Sequence, residues 1–197
     1  TKVINYITTP NAKQIFNQLV NDFKTGIHVF NLIGSYGTGK SSFLWALRQS
    51  LQTTTSYFEG AKVAFGDFQT INFLSVVGGY KSLSDVFKEE LQIKAESIAE
   101  ILQAFDAYYQ NQIAANNGLL FIVIDEFGKH LEYAAKNQPE KELYFLQQLA
   151  EYINDSDKQI ILLTTLHQSF SAYAKNNNLT REQEQEWEKV RGRFKDL

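Results

Sequence analysis

Residues Gly34–Ser41 read Gly-Ser-Tyr-Gly-Thr-Gly-Lys-Ser, a match to G-x-x-x-x-G-K-[ST], the phosphate-binding P-loop. Phosphate oxygens need several converging N–H donors, and glycine lets a backbone wrap that closely because it has no Cβ and tolerates positive φ. The spacing points to a nucleoside triphosphate with Mg²⁺. Gly34, Ser35, Tyr36, Gly37, Thr38, Gly39, Lys40, Ser41 and Ser42 form the candidate nucleotide-binding set. Lys40 supplies a point charge for the β- and γ-phosphates, and Ser41 offers its hydroxyl to the metal. A helix starting there adds free amides and the positive end of its dipole. The bland alternative is a glycine-rich turn that happens to hold Lys and Ser. Four fixed positions match by chance in about one chain in a hundred of this length.

Binding phosphate is half of a reaction; hydrolysis also needs a metal ligand and a group that orients water. The apolar run Leu119–Ile124 leads straight into Asp125 and Glu126. Asp125 then sits at the carboxyl end of a buried strand, where open α/β sheets bind ligands, and is the candidate Mg²⁺ ligand. Glu126, one residue on, is placed to polarise the attacking water. A second buried run, Gln159–Leu166, ends in Thr164-Thr165-Leu166-His167. Thr165 and His167 are candidates to stand beside the γ-phosphate, if this strand lies between the other two; a loop or capping histidine is the competing reading of His167. Arg191 and Arg193 close the chain. They read either as the basic end of a helix, favourable with its dipole, or as an arginine finger that stabilises transition-state charge, in cis or from a neighbour.

The elements that must position these groups follow from periodicity. A helix over 11–23 opens after Pro10, with Asn11 as its cap and Gln14 three residues on. A strand over 28–33 precedes the loop, and Phe43, Leu44, Leu47 and Leu51 give 41–52 a helical face. Residues 62–77 hold one or two strands, and Gly78-Gly79 makes a turn. Ser82 or Ser84 caps a helix to about Ile93, a longer helix covers 95–115, and Asn116-Asn117-Gly118 breaks it. Helices over 127–136, from Pro139 to about 154, and from a Thr180 cap through Val190 complete the pattern. Strands alternating with helices predict an α/β fold with a parallel sheet.

Bulk composition narrows the class. The 197 residues suit one domain, and 44% hydrophobic content is enough for a sizeable core. A net charge of −3 without a basic tract argues against strong nonspecific DNA binding by this segment. With no Cys, neither disulfides nor a thiolate metal site can form. The apolar runs are too short for a membrane span, and a cytoplasmic setting is the default. The first residue is Thr1 and there is no Met, so we expect a domain cut from a longer protein.

Taken together, the Gly34–Ser41 loop, Asp125-Glu126, the polar end at Thr164–His167 and the tail Val190-Arg191-Gly192-Arg193-Phe194 resemble the AAA+ ATPases and their STAND and origin-recognition relatives. The loop and the acid pair correspond to Walker A and Walker B. The resemblance implies a three-layer P-loop sandwich with a mostly parallel sheet ordered 5-1-4-3-2, followed by a helical lid. It also implies oligomeric assembly, with Arg191 or Arg193 reaching a neighbour's nucleotide. The stretches Ile124–Lys129 and Leu166–Phe170 also look like large bacterial phage-defence (BREX-like) ATPases. Some 85 residues separate Lys40 from Asp125, more than in a minimal core, so an insertion is expected within 53–118. The sensor strand lacks an obvious Asn, and the fifth strand and lid are expected to fall outside the segment.

The resulting expectation is ATP binding and Mg²⁺-dependent hydrolysis coupled to rearrangement of a larger assembly. A GTPase fits D-x-x-G at Asp125–Gly128 but lacks an N-K-x-D box. An ABC-type enzyme lacks its signature before the acid strand, and a P-loop kinase fits the acid pair less well. The alternative of a different class is a nucleotide-dependent switch with little turnover.

Overall fold

The computed structural model describes residues 6–155, 157–175 and 177–197. Five strands form one sheet: β1 (Val29–Ile33), β2 (Thr70–Val77), β3 (Gly118–Asp125), β4 (Ile160–Leu166) and β5 (Lys195–Asp196). Their order is β2-β3-β4-β1-β5 and every pairing is parallel. This is the expected 5-1-4-3-2 order read from the other edge. The three central strands are apolar almost throughout because helices cover both faces of a parallel sheet. In β3, Leu119, Phe121 and Val123 face a core shared with α1 (Pro10–Lys24), α2 (Lys40–Gln52) and α3 (Ala61–Ala64). Leu120, Ile122 and Ile124 face the other core. That core is built with α4 (Leu83–Leu91), α5 (Ile98–Tyr108), α6 (Gly128–Lys136), α7 (Pro139–Ile153), α8 (Ala172–Lys175) and α9 (Arg181–Arg191).

The fifth strand, expected outside the segment, is present. After α9, Phe194 packs against Phe127 and Phe170, and the chain turns into the sheet beside β1. A buried polar relay holds it there. Thr164 Oγ1 donates to Asn31 Oδ1 at 2.7 Å, and Asn31 Nδ2 donates to Asp196 Oδ1 at 3.1 Å, joining β4, β1 and β5.

Two local details differ from expectation, and two settle a choice left open. The cap of α1 is Thr9, whose Oγ1 accepts from Ala12 N at 3.2 Å, not Asn11. Pro10 takes the first helical position, where its fixed φ and missing N–H cost nothing, and so puts the cap at Thr9, two residues before Asn11. Residues 62–77 hold one strand, because Ala61–Ala64 is a helical turn and Gly66 at φ 141° breaks the chain before β2. The helix expected over 95–115 starts at Ile98 under a Ser97 cap and passes into a π turn over Tyr109–Ile113 and a 3₁₀ turn. Ser82, not Ser84, caps α4. Both serine hydroxyls also donate to the buried carboxylate of Glu142 on α7, and that carboxylate takes the Leu83 amide as well.

Parallel strands share one carboxyl edge, so the chain segments after Ile33, Val77, Asp125 and Leu166 converge. The site stands at that edge. At the opposite edge His28, stacked on Phe23, directs Nδ1 to the Ile153 carbonyl. His130 on α6 places Nδ1 2.8 Å from the Lys81 carbonyl. Burial pushes both imidazoles below the ordinary histidine range. The unfolded chain therefore binds more protons than the folded one as pH falls, so the stability these residues contribute is intact above about pH 6.5 and lost below it. The denaturation midpoint should drop from about pH 7.5 to about pH 5.5, and His130→Asn should make that drop smaller.

Candidate functional site

The loop from Gly34 to Ser41 leaves β1 and enters α2 through two left-handed glycines, Gly37 at φ 78° and Gly39 at φ 89°. Nothing lies within 4 Å of where a Cβ would stand at either, so the loop's concave side is open. Gly34 is constrained by space instead: a Cβ there would come 2.8 Å from Thr38 Oγ1, which itself donates to the Ser35 carbonyl at 2.8 Å. Gly34 N donates to Leu166 O at 3.1 Å and anchors the loop to β4. No side chain caps α2, which leaves its first-turn amides free to receive an anion. Lys40 Nζ folds back onto the carbonyls of Gly34 and Ser35, the second at 2.9 Å. An ammonium held over its own loop marks where an anion would find both the charge and the amides.

Across from it stands the acid pair. Asp125 ends β3, and its Oδ1 accepts from Thr165 Oγ1 at 2.6 Å and from Glu126 N at 3.1 Å. Glu126 N also donates to Thr165 Oγ1 at 2.8 Å, and Phe127 N donates to Thr165 O at 3.0 Å. These bonds hold Glu126 in a left-handed conformation, φ 57°, that a non-glycine residue adopts only under constraint. The chain thereby turns sharply and carries the Glu126 side chain into the cleft, where it pairs with Lys129. That carboxylate holds the Lys129 ammonium above its ordinary value.

His167 follows β4. Its ring stacks on Tyr36 with centroids 4.7 Å apart at 22°, and Nδ1 lies 2.9 Å from the Tyr173 hydroxyl. Together these groups line a cleft of about 380 Å³ that includes the loop, Ser41, Ser42, Asp125, Glu126, Thr165 and His167. A second hollow of about 390 Å³ continues on the other side of Lys40, between Tyr6, Thr9, Asn11, Ile15, Ile33 and Phe43.

Arg191 and Arg193 lie elsewhere. Lys195 pairs with Phe30, so in a parallel strand Arg193 falls near the amino end of β1. Its carbonyl accepts from Asn154 Nδ2, while Asn154 Oδ1 accepts from His28 N. The length of β1, about 13 Å at 3.3 Å per residue, separates this end from the loop. Both arginines are paired within the chain, Arg191 with Glu188 and Arg193 with Glu151 and the Lys189 carbonyl. The Arg193 guanidinium holds the Glu151 carboxyl below its ordinary value.

Four contributors were not legible as site residues. Lys129 sits three residues after Glu126, a spacing that signals a helical pair only once α6 is placed. Tyr173 and the Tyr6–Ile15 wall carry no motif. Gly78 reads as part of a turn, yet its amide donates to Asp125 O at 2.6 Å, and a Cβ on it would overlap the Glu126 carbonyl.

No family model and no curated protein matches the chain. Solved structures do. The Aeropyrum pernix ORC2 protein is similar in its ADP form (TM-score 0.60, 18% identity). It is similar also in its ADPNP–ADP complexes (TM-score 0.58, 17% identity). In both comparisons 98% of this chain and 49% of that one are covered. The Caenorhabditis elegans PCH-2 structure gives a TM-score of 0.51 at 16% identity, covering 98% of this chain and 44% of that one. The likeness establishes that the chain shares the α/β fold of these structures, and the chain spans about half the length of these proteins.

The close approach at Gly78 is open to test. Gly78→Ala should lower stability by about 2 kcal/mol, because backbone must move at the acid pair. Gly79→Ala, whose Cβ meets only Lys81 Cγ at 3.8 Å, should stay within about 0.5 kcal/mol. Chemical denaturation of both variants checks the contrast.

Proposed function

We propose that the chain binds ATP with Mg²⁺ in the cleft between Gly34–Ser42 and Asp125-Glu126 and hydrolyses it, driving rearrangement in a larger, oligomeric assembly. One observation carries this reading: Lys40, the uncapped end of α2 and the two carboxylates converge on one cleft, with Thr165 bonded to both acids. The fold likeness supports it, as does the naming of ADP and ADPNP in the ORC2 structures. The donor set suits Mg²⁺, which prefers hydroxyl and carboxylate oxygens and leaves other positions to water and phosphate. Ser41 and Asp125 would hold it, and its charge would neutralise phosphate oxygens.

In this reading the amides of residues 35–42 and Lys40 hold the phosphates, and Glu126 orients water once it leaves Lys129. Thr165 has its hydroxyl committed to the acid pair, so its part is to hold Asp125 and Glu126 in place. His167 is then the polar group of β4's end that remains for the terminal phosphate. The hollow beside Tyr6 and Ile15 is where we seat the base. Residues 53–118, which carry α3, β2, α4 and α5, are taken to include an insertion. Among the described residues no helix is long and apolar enough to cross a membrane, and we assign the protein to the nucleotide-rich cytoplasm. Phage defence is one setting that the resemblance of 124–129 and 166–170 suggests.

A second reading, a nucleotide-dependent switch with little intrinsic turnover, draws on two observations: Glu126 is engaged by Lys129, and both tail arginines point away from the chain's own cleft. An arginine could then serve only a neighbouring copy.

Lys40→Ala should abolish ATP binding in calorimetry. Glu126→Gln should preserve binding while turnover falls by about 10²-fold or more. An unchanged affinity in the first variant, or an unchanged rate in the second, refutes the assignment. Specific activity that climbs with protein concentration, and loses that climb in Arg193→Ala, is the expected mark of an arginine supplied in trans; a flat rate near zero selects the switch.

A further inference from the structure

Tyr173 is a buried group at the site that the proposed reaction does not yet use. It is 1% exposed on α8, yet its hydroxyl touches two parts of the site. It lies 2.9 Å from His167 Nδ1, and it fills the space that Gly128 leaves open, since a Cβ there would overlap the phenol. Gly128 stands two residues past Glu126 and begins α6. His167 in turn stacks on Tyr36 of the phosphate loop. One phenol therefore joins the loop, the end of β4 and the helix that follows the acid pair.

The direction of its hydrogen bond follows from where protons are available. Burial pushes the Tyr173 hydroxyl up to about 12, so it keeps its proton at neutral pH. His167 Nδ1 is the hydrogen-bond partner that the described residues offer this hydroxyl, so its own O–H is directed at the imidazole. A neutral imidazole that accepts at Nδ1 carries its proton on Nε2. The reverse arrangement would strand a buried O–H without an acceptor, the costlier state.

We propose that Tyr173 is a positioning residue that fixes His167 as its Nε2–H tautomer, aiming a neutral donor from the end of β4 at the terminal phosphate of a bound triphosphate. The stacked Tyr36 ring holds the plane of the imidazole, and His167 lines the cleft together with the carboxylates of Asp125, Glu126 and Glu132. The phosphate half of this inference rests on the ATP reading above; the tautomer does not.

Long-range ¹H–¹⁵N spectra of the chain without nucleotide test the tautomer. The signals of His167, assigned by their loss in His167→Gln, should show a bare Nδ1 and a protonated Nε2, and Tyr173→Phe should give mixed tautomers. A protonated Nδ1 in the wild type, or an unaltered tautomer in the variant, overturns the inference. Calorimetry with ADPNP and ADP tests the consequence. Tyr173→Phe should weaken ADPNP about fivefold, the worth of one neutral hydrogen bond, and leave ADP within about twofold. In the His167→Gln background, where the donor has no tautomer, adding Tyr173→Phe should change neither affinity. Equal losses for both nucleotides, or a further ADPNP loss in that background, mean that Tyr173 acts only through packing and overturn the proposal. A wild-type chain that binds neither nucleotide overturns the ATP reading together with the phosphate half, and is told apart by the spectra.

Discussion

The Thr165 hydroxyl is the joint on which the site is assembled. It donates to Asp125 Oδ1 and accepts from the Glu126 amide, so one oxygen on β4 fixes both members of the acid pair on β3. Its bond to the Glu126 amide is one of those that compensate the left-handed turn at Glu126, the turn that carries the second carboxylate into the cleft. The same strand end holds the other side of the site, because Leu166 O accepts from Gly34 N. β4 therefore sets the distance between the phosphate loop and the acids. That role requires it to lie between β1 and β3, which the parallel pairing of all three provides.

Behind this edge the molecule is conventional in its energetics and unusual in its buried polar groups. Two apolar layers cover the sheet, and the largest side chains, Trp187, Tyr173 and many of the phenylalanines, are fully enclosed. Several buried polar groups have a specific task. Glu142 satisfies the start of α4, Asn31 and Thr164 tie the last strand to the sheet, and His28 joins α7 to the start of β1. Such groups are tolerated in a low-dielectric interior when they are hydrogen-bonded. They specify which helix packs on which strand more than they add net stability.

The cleft carries charges of both signs. Lys40 and Lys129 meet three carboxylates there, so the site without nucleotide is slightly acidic overall and its charged groups pair among themselves. The Glu126–Lys129 pair is exposed, so solvent screens it and holds it weakly. Arg191 and Arg193 are committed to Glu188 and Glu151 at the far edge.

The sequence by itself determined the chemistry-bearing residues wherever that chemistry imposes a fixed local spacing. Gly34–Ser41, the apolar run ending in Asp125-Glu126, and the polar end Thr164–His167 are contiguous, and contiguous residues at strand ends are placed by local geometry alone. The same logic made the strand runs and most helix cores legible, while Pro10 moved a cap and a π turn interrupted a helix for reasons of one or two residues. Only the tertiary structure decided what depends on residues distant along the chain. It bonded the Thr165 hydroxyl to the acid pair, brought Tyr173 to His167 and Gly78 to Asp125, started the fifth strand at Lys195, and sent the tail arginines to the opposite edge. Such contacts arise from strand order and register, quantities that no local pattern of side chains encodes.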